Sequence, residues 1–207
     1  MKAHALLGSW PVIIILFFGL ALTGGCGKFN LAGPCEKKQD PYPAVLEQWT
    51  SRAKVYRGLD FMLEVTGTYK SGPFRRAYAE KFARDFQLPP QAAAKMLADE
   101  KAMAGKNIEF ILAVSAPDEN KNNLKAGDSA WRIFLESESM GQIKPFEIRL
   151  VKKRTARLEE FYPYISPWTK VYLVRFLAPP HPPLSEPLDL VLTGVLGSAR
   201  LTFQAKD

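Results

Sequence analysis

Histidine and cysteine are nearly missing: the 207 residues hold two of each. His4 lies in the short cationic start at residues 1–4, which leaves with the export signal described next. His181 sits in Pro179-Pro180-His181-Pro182-Pro183, a run that favours an extended, solvated connector. A zinc site built on two or three histidines is therefore excluded, as is a cysteine-rich one. A serine hydrolase would have to take His181 as its base, yet no Gly-x-Ser-x-Gly elbow is present. The sequence also lacks a P-loop and a Gly-x-Gly-x-x-Gly fingerprint, which argues against nucleotide and dinucleotide enzymes. No metal and no cofactor is expected.

What the sequence does have begins at its first residues. Met1-Lys2-Ala3-His4 is a short cationic start without an acid, and no charge follows from Ala5 to Leu22. Small residues then take over at Thr23-Gly24-Gly25. A positive head, an apolar body and a small-residue stretch form the layout of an export signal, here 1–25, and are set apart from the fold.

The segment Leu22-Thr23-Gly24-Gly25-Cys26 resembles the lipobox of bacterial lipoproteins, with Thr23 where that motif most often carries Leu. The resemblance covers residues 1–26 only. It implies cleavage after Gly25, a diacylglyceryl group on the Cys26 sulfur, and attachment to membrane lipid through Cys26. Each buried methylene contributes about 0.8 kcal/mol, so two or three acyl chains hold a protein on a bilayer where one would not. Gly27 stands where many inner-membrane lipoproteins of enterobacteria carry Asp, which points toward the outer membrane. Two other readings stay open. The apolar run approaches the roughly 20 residues of a membrane span, although Gly8, Pro11 and Gly19 interrupt it. Ordinary cleavage nearby would instead leave Cys26 and Cys35 free to form a disulfide.

The whole chain carries 28 basic and 21 acidic residues; removing Lys2 with the signal leaves 27 against 21, net +6. An exported protein has little call for nucleic acid, and none is expected as a partner. The clearest basic cluster is Arg149, Lys152, Lys153, Arg154 and Arg157. It reads as a solvated strand end and loop, with attraction to anionic headgroups or cell-wall polymers as the functional alternative.

Residues 26–42 read as a lipidated tether, since Gly, Asn, Pro, Lys and Gln dominate without apolar periodicity. A single domain follows over 43–207, starting with a short helix at about 44–55. Leu59, Phe61, Leu63, Val65 and Tyr69 then alternate with Asp60, Glu64, Thr66, Thr68 and Lys70, a strand with one buried and one wet face. Further strands are predicted at 108–116, 130–138, 145–153, 170–178, 188–193 and 199–204. Most linkers are turn-like, and no helix sits between consecutive strands after the second, as parallel pairing would need. The pattern predicts a mainly β fold: an antiparallel immunoglobulin-like sandwich of about seven strands, without that fold's hallmark cysteine pair. A helical hairpin is inserted at about 73–105. Its first helix carries Phe74, Tyr78, Phe82 and Phe86 every fourth residue; its second runs over 91–104 to Gly105. The aromatic stripe is expected to cover an end of the sandwich.

Three features remain. Glu136, Glu138, Glu159 and Glu160 are the carboxylates available for an acid–base pair, which glycan cleavage needs at about 5–9 Å. Asp118-Glu119-Asn120-Lys121-Asn122 looks superficially like a calcium loop but lacks its glycine and distal glutamate, and reads as a turn. Phe161-Tyr162-Pro163-Tyr164-Ile165-Ser166-Pro167-Trp168 is the most unusual segment, four aromatics stiffened by two prolines. Such a loop caps a small β domain or grips a partner; Phe161, Tyr162, Tyr164 and Trp168 are the candidate binding surface. The expectation is a membrane-tethered envelope lipoprotein that binds or scaffolds another envelope protein without catalysis. A glycan- or cell-wall-directed hydrolase and a small-molecule or lipid carrier are the alternatives.

Overall fold

The computed structural model describes residues 40–125, 127, 129–177 and 186–204. The signal segment, Cys26, the tether up to Gln39 with Cys35, and His181 with its prolines lie outside the described residues. Among the described residues, no helix is long and apolar enough to cross a membrane.

Helix α1, Tyr42–Gln48, opens on Asp40-Pro41, where the Tyr42 amide donates to Asp40 Oδ1 at 3.1 Å. Its sequence reading ran on to residue 55, but the chain leaves the helix at Trp49 and enters β1, Thr50–Arg57. A helix this short is marginal, and strand pairing fixes the following residues instead. Val55 faces Leu63 and Thr50 faces Thr68 across β2, Asp60–Tyr69. Helices α2, Gly72–Asp85, and α3, Pro90–Ala104, form the inserted hairpin. Ser71 caps α2 by accepting the Phe74 amide at 3.3 Å. Strand β3, Asn107–Ser115, follows, then a 3₁₀ turn, Glu119–Lys121, and strands β4, Trp131–Ser137, β5, Gly141–Ile143, and β6, Glu147–Leu150. Helix α4, Ala156–Phe161, leads to β7, Lys170–Leu177, and the hairpin of β8, Leu188–Gly194, and β9, Gly197–Phe203.

The described residues are mainly β, with two antiparallel sheets and four helices among them. Nine strands stand where about seven were expected: β1 replaces part of a predicted helix, and three-residue β5 occupies a predicted turn. The first sheet has the order β1-β2-β3-β7-β6, the second β5-β4-β8-β9. Their inner faces meet. The rings of Phe110 and Phe203 lie 5.2 Å apart, and Leu63, Val65, Leu135, Leu190 and Leu201 are fully buried. At Gly67 the sheets approach so closely that a Cβ would stand 3.0 Å from Leu201 Cδ2 on β9, besides 2.8 Å from Leu112 Cδ2 on the neighbouring strand β3.

The second face of the first sheet is dry toward the Tyr69 end of β2 and stays wet at Arg52, Lys54 and Glu64. Thr66 and Thr68, the polar side of the β2 alternation, are 6% and 0% exposed, and β3 is buried on both faces. The helices lie against this face near the Tyr69 end of β2, because the aromatic stripe of α2 needs apolar cover. Phe74 is fully buried, and its ring lies 5.9 Å from that of Tyr42 and 6.0 Å from that of Tyr162.

Candidate functional site

The aromatic segment enters from α4. Thr155 caps this helix by accepting the Leu158 amide at 3.2 Å, so the chain turns helical before Phe161. Phe161 and Tyr162 are 1% and 3% exposed and pack among Tyr42, Phe74, Tyr78 and Phe82. Tyr42 hydroxyl donates to the Phe161 carbonyl at 2.7 Å, tying α1 to the segment. Tyr164 is half-buried, with its hydroxyl 2.7 Å from Thr68 Oγ1 on the sheet. Trp168 points away and is 85% exposed. The turn that carries Trp168 is braced: the Ser166 carbonyl accepts from Arg154 Nη1 at 2.6 Å and from Thr169 Oγ1 at 2.9 Å. The four aromatics expected to share one binding surface therefore divide, three inward and one outward.

Beneath the helices the first sheet carries a charge cluster. Glu109 on β3, 1% exposed, meets Lys70 Nζ at 2.5 Å, Arg175 Nε at 2.6 Å and Arg75 Nη2 at 3.4 Å. Arg75, 2% exposed, also donates to Glu100 Oε2 at 2.6 Å and to the Lys70 carbonyl at 2.9 Å. Arg175 reaches Glu147 Oε2 at 2.8 Å. Burial alone would raise the Glu109 carboxyl; Lys70, Arg175 and Arg75 outweigh it and hold the group below its ordinary range.

A pocket of about 270 Å³ opens beside this cluster, between the α2–α3 hairpin, α4, the middle of β3 and the chain just past β6. Lys70, Tyr78, Glu100 and Tyr162 line it together with Lys153 and Arg157, over apolar ground from Ile111, Val151 and Leu158. Burial raises the phenols of both Tyr78 and Tyr162, so each is a neutral hydroxyl at physiological pH. Arg157 stacks over the Phe82 ring at 5.6 Å. Of the basic cluster, Arg149 pairs with Glu147 at 3.4 Å and Arg154 binds the Trp168 turn, while Lys152 is exposed. Neither the pocket nor the buried cluster was foreseen from sequence, though Glu109, a lone acid inside the apolar run from Ile108 to Val114, was a signal in plain view.

No protein family, curated protein or solved structure matches this chain. Its site has to be read from its own residues.

The four glutamates separate into two places. Glu159 and Glu160 lie on α4, with Glu160 3.5 Å from Lys81. Glu136 and Glu138 line a separate pocket of about 490 Å³ on the second sheet, with Asp189 and Arg200. There Arg200 bridges Glu136 at 2.9 Å and Asp189 at 2.5 Å, and Gln142 donates to Glu136 at 3.1 Å. The segment from Asp118 forms a 3₁₀ turn in which Asp118 Oδ1 accepts the Asn120 amide at 2.9 Å. Among the described residues no group of three or more His, Cys, Asp or Glu side chains is placed to hold a metal ion.

Proposed function

We propose that this chain is a bacterial envelope lipoprotein, held in the outer membrane by lipid on Cys26, whose β domain binds another envelope protein without catalysing a reaction. The anchor rests on the resemblance of residues 22–26 to a lipobox. The binding role rests on Trp168, 85% exposed on a turn whose hydrogen bonds keep it still. An indole offered on a rigid support gives a partner a large contact area at small entropic cost, and tryptophan with arginine dominates binding hot spots. The scaffold we assign to it is a sandwich of immunoglobulin-like type. Its support is two antiparallel sheets of five and four strands between which the chain crosses three times.

Hydrolysis of a glycan is the second reading, and one observation favours it: Glu136 and Glu138 share a pocket. Against it, Arg200 already grips Glu136 and its neighbour Asp189. The carrier reading needs a cavity between the sheets, and at Gly67 the sheets are in direct contact.

The test is to express the full chain and its Cys26→Ser variant in a Gram-negative host, measuring intact mass and membrane fractionation. The wild type is expected to lose residues 1–25, gain acyl mass and sediment with membranes, and the variant to remain unacylated. Crosslinking on membranes should then capture a protein that Trp168→Ala loses. Unacylated, soluble wild type overturns the anchor, and Trp168-independent crosslinks overturn the binding surface. Release of sugars from purified cell wall would move the hydrolase to the front.

A further inference from the structure

We infer that the pocket between the α2–α3 hairpin and α4 binds a phosphate monoester, held by Lys70, Tyr162, Lys153 and Arg157. This goes beyond partner binding through Trp168 and does not depend on the anchor.

The charge balance points there first. In the cluster flanking the pocket, Lys70, Arg75 and Arg175 are matched by Glu100, Glu109 and Glu147. Lys153 and Arg157 stand outside that balance, since neither forms an ion pair with a described residue. The pocket lining thus carries two uncompensated positive charges, and a phosphate monoester carries close to two negative ones near neutral pH.

The donors are equally unspent. Tyr162 lines the pocket, and among the described residues its hydroxyl has no hydrogen-bond partner, so it is free to donate into that space. The hydroxyl is not sealed from the pocket, so water satisfies it in the empty site and a ligand oxygen takes that water's place. Lys70 uses one of its three donors on Glu109. Arg157 is held by the face of Phe82, which leaves the guanidinium edge and its five donors for an anion. At about 270 Å³ the space equals roughly nine water molecules at about 30 Å³ each, enough for a small phosphate ester over Ile111 and Leu158.

The phosphate group is common to soluble esters and to lipid headgroups, so the experiment has two arms. The full chain, purified in detergent, is titrated calorimetrically with glycerol 3-phosphate, and separately transferred into micelles doped with phosphatidic acid. Glycerate, a carboxylate of the same size, is the comparator. Saturable one-to-one binding in the first arm identifies a soluble ester, and binding in the second alone identifies a headgroup. Tyr162→Phe should weaken binding about fivefold, one neutral hydrogen bond, while leaving the ligand-free thermal midpoint unchanged because the hydroxyl has no protein partner. Lys153→Ala with Arg157→Ala should weaken it at least about tenfold. No saturation in either arm, glycerate binding as tightly as the phosphate, or undiminished binding by Tyr162→Phe would each overturn the inference.

Discussion

The two sheets each carry a glutamate bridged by arginine, and the two outer faces treat that motif in opposite ways. On the first sheet, Glu109 is 1% exposed under the helices and is shared among three cations. On the second, Arg200 spans Glu136 and Asp189 in the open, with its side chain 52% exposed. Distances in the two networks are nearly the same. The surroundings differ: water screens the second network throughout and replaces any bond it loses, whereas the first meets water at its rim, through Lys70, Arg175 and Glu147, and not at Glu109. Contact geometry alone therefore says little about how much each bridge matters to folding.

Removing one partner from each network should split them most widely. Glu109→Gln leaves Lys70, Arg75 and Arg175 without their buried counter-charge, and should cost about 3–5 kcal/mol in a urea titration. A loss below about 1 kcal/mol would mean that water reaches the buried centre of the cluster, and the contrast would fail. Acid gives a smaller but sharper comparison. The folded-state carboxyl of Glu109 lies below its ordinary value of 4.5, so its contribution is complete above that pH and fades as pH falls through the depressed value. Wild type should accordingly lose more stability than Glu109→Gln as pH drops below about 4.5; parallel losses would assign acid sensitivity elsewhere. The smallest effect belongs to the open network. Arg200→Ala should cost under about 1 kcal/mol, and high salt should shrink that difference further.

The legible part of this fold was what local pattern decides. Alternation in residues 60–69, the apolar run of β3 and the four-residue spacing of Phe74, Tyr78, Phe82 and Phe86 each identified an element of the right kind. What escaped depended on neighbours distant in sequence. Thr66 and Thr68 read as a wet face because nothing nearby announces that Tyr164, 96 residues past Thr68, will cover them. Residues 50–55 read as helix because β1 gains its stability from β2 rather than from its own propensities. The aromatic segment was visible as a unit, but Phe161 and Trp168 look equally apolar in sequence. Only the α4 cap and the bonds to Ser166 send one inward and one outward.

The ends of the sheets also bear on how such a domain survives in company. Two open sheets present four edge strands, and an unpaired edge is a template for another chain. Here β5 and β6, at three and four residues, are the shortest strands described. They give a neighbouring molecule little length to pair with. The other two edges, β1 and β9, shelter one another: a Cβ added to Gly197 would fall 2.5 Å from Val55 Cγ1. A side chain at position 197 would push that seam apart and open two long edges at once, turning a domain with little exposed edge into one prone to strand-to-strand aggregation.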